Sequence, residues 1–108
     1  MNLPTEVFGD VIVVHAPDEL GEDQTASFGE FVDRLERHRV VLDLDPTELL
    51  DSAGLEALLD AQEHLREAGG DLKISTSVGA NRKILEITQI DEQLEVFQSV
   101  IDAVKSFQ

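Results

Sequence analysis

Apolar and polar residues alternate along this chain in blocks whose period changes, which predicts strands and helices in turn. Glu6-Val7-Phe8 and Val11-Ile12-Val13-Val14 are short apolar runs separated by Gly9-Asp10. Because glycine adopts positive φ readily and the pair forms a two-residue loop, the segment predicts a β-hairpin. The second run has no polar position, so we expect it to be buried on both faces of a sheet.

The later segments show helical and strand spacing alternately. Phe28, Phe31, Val32 and Leu35 lie at i, i+3, i+4 and i+7, which predicts a first helix over roughly Glu22–Arg37. Further segments are predicted as a strand at Val40–Leu44, a helix from Leu55 to Gly69-Gly70, a strand at Leu72–Ile74, a helix at Ala80–Ile87, a strand at Leu94–Phe97 and a helix at Val100–Phe107. This alternation indicates an α/β fold with about five strands and about four helices.

The charge balance narrows the choice of partners. The 108 residues include 23 acidic and 8 basic ones, a net charge of −15, with a pI of 4.2. Such a field repels nucleic acid and anionic lipid, so we expect neither a nucleic-acid partner nor membrane insertion, and a protein partner with a basic face. The chain has no cysteine, and its beginning does not look like a signal peptide. We predict one cytoplasmic domain over residues 1–108, without a cofactor.

The junction between the central strand and the second helix is the predicted functional region. After Val40–Leu44 an acidic loop leads to Asp51-Ser52-Ala53-Gly54-Leu55, and binding sites gather where strands end and helices begin. We interpret Ser52 as the N-cap of the helix. Gly54 is a poor helix former, which predicts the close approach of another backbone, from a partner or from a neighbouring loop. Ser75-Thr76-Ser77 is interpreted as a capping cluster for the third helix, beside the same surface.

Two other kinds of site compete with this one. Asp43 or Asp45 resembles the phosphoacceptor of a receiver domain, with Asp18-Glu19 as the acidic pair and Lys83 as the lysine. An antiparallel first pair of strands would exclude that alternative. The same aspartates with Asp51 have the chemistry for Mg²⁺, but residues that alternate with apolar ones need not converge. We therefore interpret them as a solvated acidic edge and expect no metal site, since the histidines also lack ligand spacing.

With these elements in order, the chain resembles a STAS domain of the bacterial anti-sigma factor antagonist type over almost its whole length. The resemblance rests on Val41-Leu42-Asp43-Leu44, on the D-S-x-G-L signature at Asp51–Leu55, and on the segment from Ile87-Thr88-Gln89-Ile90-Asp91 to Phe97. It implies a mixed sheet with an N-terminal antiparallel hairpin. It also implies a non-catalytic regulator that binds an anti-sigma factor with serine kinase activity. In the family, that kinase phosphorylates a residue at the start of the second helix and so ends binding, and a phosphatase restores the active form.

The sequence departs from the family pattern at the phosphoacceptor. The position immediately before the motif glycine is Ala53, which has no hydroxyl, and Ser52 lies one residue earlier. The chain is therefore a constitutive binder, a protein switched through Ser52, or a STAS subunit of a chemotaxis or lipid-transport complex. A family G-E-L-D segment is replaced by Asp18-Glu19-Leu20-Gly21-Glu22, in which Glu22 stands for the last acidic residue.

The resemblance places partner binding at Asp51, Ser52, Ala53, Gly54 and Leu55, with Glu22 and Ser77 adjacent. We expect Asp51 to pair with a basic residue of the partner, and Ala53 and Gly54 to permit close backbone contact. A phosphate on Ser52 is expected to displace the N-cap and to expel the partner by like-charge repulsion.

Overall fold

The computed structural model describes residues 1–108. Its strands are β1 (Thr5–Phe8), β2 (Val11–His15), β3 (Glu19–Leu20), β4 (Arg39–Asp43), β5 (Leu49–Leu50), β6 (Asp71–Ser75) and β7 (Val96–Phe97). Its α-helices are α1 (Thr25–Asp33), α2 (Ser52–Glu67), α3 (Gly79–Ile87) and α4 (Val100–Lys105), and 3₁₀ turns lie at Glu22–Gln24 and Ile90–Glu92. None of the helices combines the length and apolarity that crossing a bilayer requires.

Five of the strands form one mixed sheet in the order β1-β2-β4-β6-β7. β1 and β2 are antiparallel, and every other neighbouring pair in this sheet is parallel. The predicted hairpin and mixed sheet are thus confirmed. The antiparallel first pair excludes the receiver-like alternative based on Asp43 or Asp45, because that fold requires parallel strands at this point.

Both faces of the sheet are covered, and β2, β4 and β6 are each buried at four of their five residues. The larger core lies under α1, α2 and α3 and includes Phe28, Leu58 and Leu85. A smaller core lies under α4 and consists of Val11, Val13, Val41, Ala103 and Val104. The β-branched run of β2 alternates between these two cores, which explains why it has no polar position and confirms its predicted burial.

Lys73 holds α4 against the second face of the sheet. Its side chain is only 9% exposed, and Nζ donates to the carbonyl of Ser106 at 3.2 Å and to Oγ of Ser106 at 2.8 Å. The same ammonium lies 4.2 Å from the ring centroid of Phe107 and 5.8 Å from that of Phe97. A charge that is mostly removed from water is therefore compensated by two hydrogen bonds, two aromatic faces and an ion pair with Oε1 of Glu95 at 3.8 Å.

Several predicted boundaries were wrong. The first helix covers Thr25–Asp33 and not Glu22–Arg37, because residues 34–38 are needed to bring the chain back to the start of β4. The last strand is limited to Val96–Phe97, and Leu94 is buried outside any strand. β3 and β5 were not predicted, since strands of two residues have no detectable period.

Candidate functional site

Two loops at the carboxyl ends of the central strands are joined into one surface. β3 and β5 pair in parallel, and the backbone N–H groups of Glu48 and Leu49 both donate to the carbonyl of Asp18, at 2.7 and 3.2 Å. The Thr47 hydroxyl donates to the carbonyl of Pro17 at 2.8 Å. The segment that precedes α1 and the segment that precedes α2 are therefore fixed relative to each other.

Asp51, and not Ser52, is the N-cap of α2. One oxygen of the Asp51 carboxylate accepts from the N–H of Gly54 at 2.9 Å, and the other accepts from the N–H of Glu22 at 3.2 Å. Ser52 is the first residue of the helix, so its interpretation as the N-cap was wrong. A carboxylate can accept from both elements at once, which explains why the cap falls on aspartate although both residue types cap helices well.

Replacement of Asp51 by alanine is expected to lower the free energy of unfolding by about 0.5–2 kcal/mol, because α2 loses its cap. Ser52→Ala, one residue later, is expected to change it by less than about 0.5 kcal/mol. Urea denaturation of both variants measures the difference. A Ser52→Ala loss as large as that of Asp51→Ala would contradict the capping assignment.

Gly54 and Leu55 face the interior of the protein. A Cβ on Gly54 would lie 1.9 Å from the carbonyl oxygen of Leu20, so the close approach is made by this chain's own β3. Leu55 is 7% exposed and belongs to the larger core. Both residues are buried, which argues against direct contact with a partner, and their part in partner binding stays a prediction.

The other residues of this segment remain accessible. Ser52 is exposed and its hydroxyl makes no hydrogen bond within the chain, and Glu22 is exposed as well. Ala53 is half-buried at the edge of α2. The carboxylate of Asp51 is occupied by two backbone donors, so its role within the chain is to hold Glu22 beside the helix. The expected displacement of a Ser52 cap by a phosphate does not apply, because the cap is Asp51.

Asp45 holds the loop after β6. Its carboxylate accepts from the N–H of Ser77 at 2.7 Å, from the Ser77 hydroxyl at 2.8 Å and from the Thr76 hydroxyl at 3.1 Å. Partial burial acts to raise the pKa of Asp45, but these hydrogen bonds to its charged form outweigh burial and lower that pKa. None of Ser75, Thr76 and Ser77 is the N-cap of α3, as a capping cluster would require; the N-cap is Val78, and the Thr76 hydroxyl accepts from the N–H of Val78 at 3.2 Å.

Asp43 takes part in a second polar cluster behind Asp45. His15 Nδ1 lies 2.8 Å from Oδ2 of Asp43, and its Nε2 lies 2.8 Å from Oε1 of Glu6. Oδ1 of Asp43 accepts from the N–H of Asp45 at 3.0 Å. Asp43 is buried, so it does not belong to a solvated acidic edge as predicted. The hydrogen bond to Glu6 and the attraction of Asp43 raise the pKa of His15 against the opposing effect of partial burial.

Stability is expected to decrease as the pH rises, because of His15. Its pKa is raised above 6.5 in the folded protein, so its contribution is complete below 6.5 and is lost as the pH rises through the folded value. His15→Gln is expected to remove this decrease. Urea unfolding at about pH 6 and about pH 8 measures it. If the variant and the parent lose equal stability between these pH values, His15 is not the responsible group.

Comparison with known proteins identifies the family. The STAS domain family model matches residues 2–103. The chain belongs to the STAS domain family. No curated protein sequence matches it. Among solved structures, a candidate anti-sigma factor antagonist from Thermotoga maritima has a TM-score of 0.85 and 18% identity, with 96% of this chain and 92% of that chain covered.

Two other solved structures show the same fold. An anti-sigma factor antagonist from Mycobacterium paratuberculosis has a TM-score of 0.84 and 21% identity, with 97% of this chain and 92% of that chain covered. Bacillus SpoIIAA in its phosphorylated form has a TM-score of 0.65 and 14% identity, with 99% and 100% covered. At these identities, the likeness establishes the fold.

The accessible candidate residues of this STAS domain belong to loops and a helix start that follow the carboxyl ends of β2, β4 and β6, and we call this set the rim. The rim consists of the exposed parts of Glu22, Asp45, Asp51, Ser52, Ala53 and Ser77. Sequence reasoning missed two features of this region. Asp45 joins two loops, and Leu49 is 49% exposed beside Asp51. The exposure of Leu49 could have been predicted, because it is an apolar residue within an acidic loop.

Proposed function

We propose that this STAS domain is a non-catalytic regulator that binds an anti-sigma factor, or a related regulator with serine kinase activity, through the rim. The observation that carries the proposal is the double use of Asp51, whose carboxylate holds the Glu22 loop against the start of α2. A surface held in this way is ready to bind without reorganisation, which favours recognition. A cytoplasmic location accompanies this role.

The chemistry of the surface supports a protein partner. Leu49 and Val78 are apolar side chains exposed by 49% and 36% on two of the loops that form this end of the molecule. Asp18, Glu22 and Glu48 add exposed carboxylates to the same loops. Exposed apolar side chains among charged ones are typical of protein interfaces, and the sign of the charge favours a partner with a basic face.

We further propose Ser52 as the phosphoacceptor in place of Ala53. The Ser52 hydroxyl is exposed and free of hydrogen bonds within the chain. Phosphorylation adds about −1.5 to −2 charges, whereas the dipole of α2 stabilises a negative group by only about 0.3–1 kcal/mol. Because the rim is proposed to bind a partner with a basic face, the phosphate would act mainly by its bulk, which blocks close contact at the start of α2, with added repulsion from any acidic group of the partner.

Affinity capture with the full chain, followed by mass spectrometry, tests the partner class. The proposal predicts an anti-sigma factor with a nucleotide-binding kinase domain. Recovery of a lipid-transport or chemotaxis subunit instead would reject this class. The captured kinase is then incubated with ATP and the chain, and intact mass is expected to show one added phosphate that is lost in Ser52→Ala. A parent chain that stays unmodified would reject Ser52 as the acceptor and leave a constitutive binder.

A further inference from the structure

A groove runs between α1 and α2 and opens at the rim. It has a volume of about 300 Å³ and begins at Thr25 and Ala53, where the two helices start. Its far end is formed by Asp33 and His64, whose Oδ1 and Nδ1 atoms lie 3.8 Å apart. This volume is at the lower limit for a small-molecule pocket, so the groove suits a single long side chain.

The walls of the groove carry negative charge that the chain itself does not neutralise. Glu56 and Asp60 lie four residues apart on α2, both are exposed, and neither forms an ion pair. Like charges at this spacing disfavour a helix. Asp33 adds a third carboxylate across the groove, and its neighbour His64 is the only lining side chain able to carry a positive charge. A cationic group from outside would be attracted to these walls.

Gly29 lines the groove at a position where the fold does not require glycine. Gly29 lies inside α1, where glycine disfavours a helix, and it lines the groove. A Cβ at this position would meet nothing within 4 Å, and the backbone is not in the left-handed region. Neither close packing nor a turn therefore explains the glycine, whereas a larger side chain there would take up space in the groove.

We propose that the groove receives an arginine side chain of the protein partner. The guanidinium is placed between the carboxylates of Glu56 and Asp60, and the aliphatic stem lies over Ala57 and Gly29. Arginine fits better than lysine because its planar fork forms paired hydrogen bonds with carboxylates. This inference rests on the proposed function, since the groove reaches the rim at Ala53.

The test is an NMR titration of the ¹⁵N-labelled chain with N-acetyl-arginine amide. Saturable shifts are expected at the amides of Gly29, Ala57 and their neighbours. The uncharged isostere N-acetyl-citrulline amide is expected to produce none. The variant Glu56→Gln/Asp60→Asn is expected to weaken arginine binding at least about tenfold, because both charge-assisted contacts are lost. Glu63→Gln/Glu67→Gln removes the same charge at the same spacing on α2, outside the groove, and is expected to behave like the parent.

Equal shifts with citrulline, absence of saturation, or an equal loss in both double variants would overturn the proposal. The captured partner separates this inference from the proposed function. If Glu56→Gln/Asp60→Asn leaves partner affinity unchanged while Ala53→Glu abolishes it, the groove proposal fails and the rim stands. If neither variant weakens the partner, the proposed function fails. A loss of affinity in both supports the groove as an extension of the rim.

Discussion

Gly54→Ala is expected to lower the free energy of unfolding by about 3 kcal/mol, the upper end for an overpacked site. A Cβ at this position would lie 1.9 Å from the carbonyl oxygen and 2.9 Å from the carbonyl carbon of Leu20, and backbone cannot move aside as a flexible side chain can. Relief requires α2 to move away from β3, which also disturbs the contact between Asp51 and Glu22. The loss of stability is therefore expected to spread to the rim.

Gly29→Ala is the matched control, since it makes the same change inside the neighbouring helix. Its added methyl group meets nothing within 4 Å, so the substitution is expected to raise the free energy of unfolding by about 0.5–1 kcal/mol through helix propensity alone. Urea denaturation of the two variants should give effects of opposite sign. A neutral Gly54→Ala would show that α2 does not pack against Leu20 as described.

Lys73→Ala is expected to lower the free energy of unfolding by about 2–4 kcal/mol, because it removes a desolvated cation–π contact and two hydrogen bonds from a charged donor. The loss concerns α4 in particular, since both hydrogen bonds of Lys73 and its shorter aromatic contact are made with Ser106 and Phe107, immediately after that helix. Amide exchange in α4 is expected to accelerate more than exchange in α2.

Lys105→Ala provides the control for Lys73. Lys105 is exposed in the last turn of α4 and makes no ion pair, so its replacement is expected to cost less than about 0.5 kcal/mol. Similar losses in the two variants, or uniform acceleration of exchange along the chain, would contradict the role of Lys73 in holding α4.

Elements that are long enough to show a hydrophobic period could be predicted from the sequence. The four apolar residues of β2 predict a doubly buried strand, and the D-S-x-G-L segment predicts the junction with α2. β3 and β5 remained unpredicted, because two residues define no period and their pairing depends on contacts between distant loops. The shorter α1 was missed for a similar reason, since its end is set by the distance to β4.

The candidate site could be proposed from the sequence, but the contacts made by its residues could not be predicted. Asp51 and Ser52 are both good capping residues, and the choice depends on the N–H of Glu22, which lies 29 residues away along the chain. Gly54 correctly predicted a close backbone contact, whereas only the coordinates identify Leu20 as the neighbour. Asp45 was considered as a metal ligand or a phosphoacceptor because the sequence does not show its hydrogen bonds to Thr76 and Ser77. These bonds join residues that are distant along the chain and meet only in the folded sheet.

The dissociation constant of the captured partner for Ala53→Glu tests the central claim most directly. A carboxylate at the edge of α2 places a negative charge and added bulk on the rim. We expect binding to weaken at least about 100-fold, because the longer side chain blocks the close approach of the partner at Ala53 and takes up space at the mouth of the groove. Ala68→Glu adds the same charge at the opposite end of α2 and is expected to bind like the parent chain. Undiminished affinity in Ala53→Glu, or an equal loss in Ala68→Glu, would contradict the rim as the binding surface.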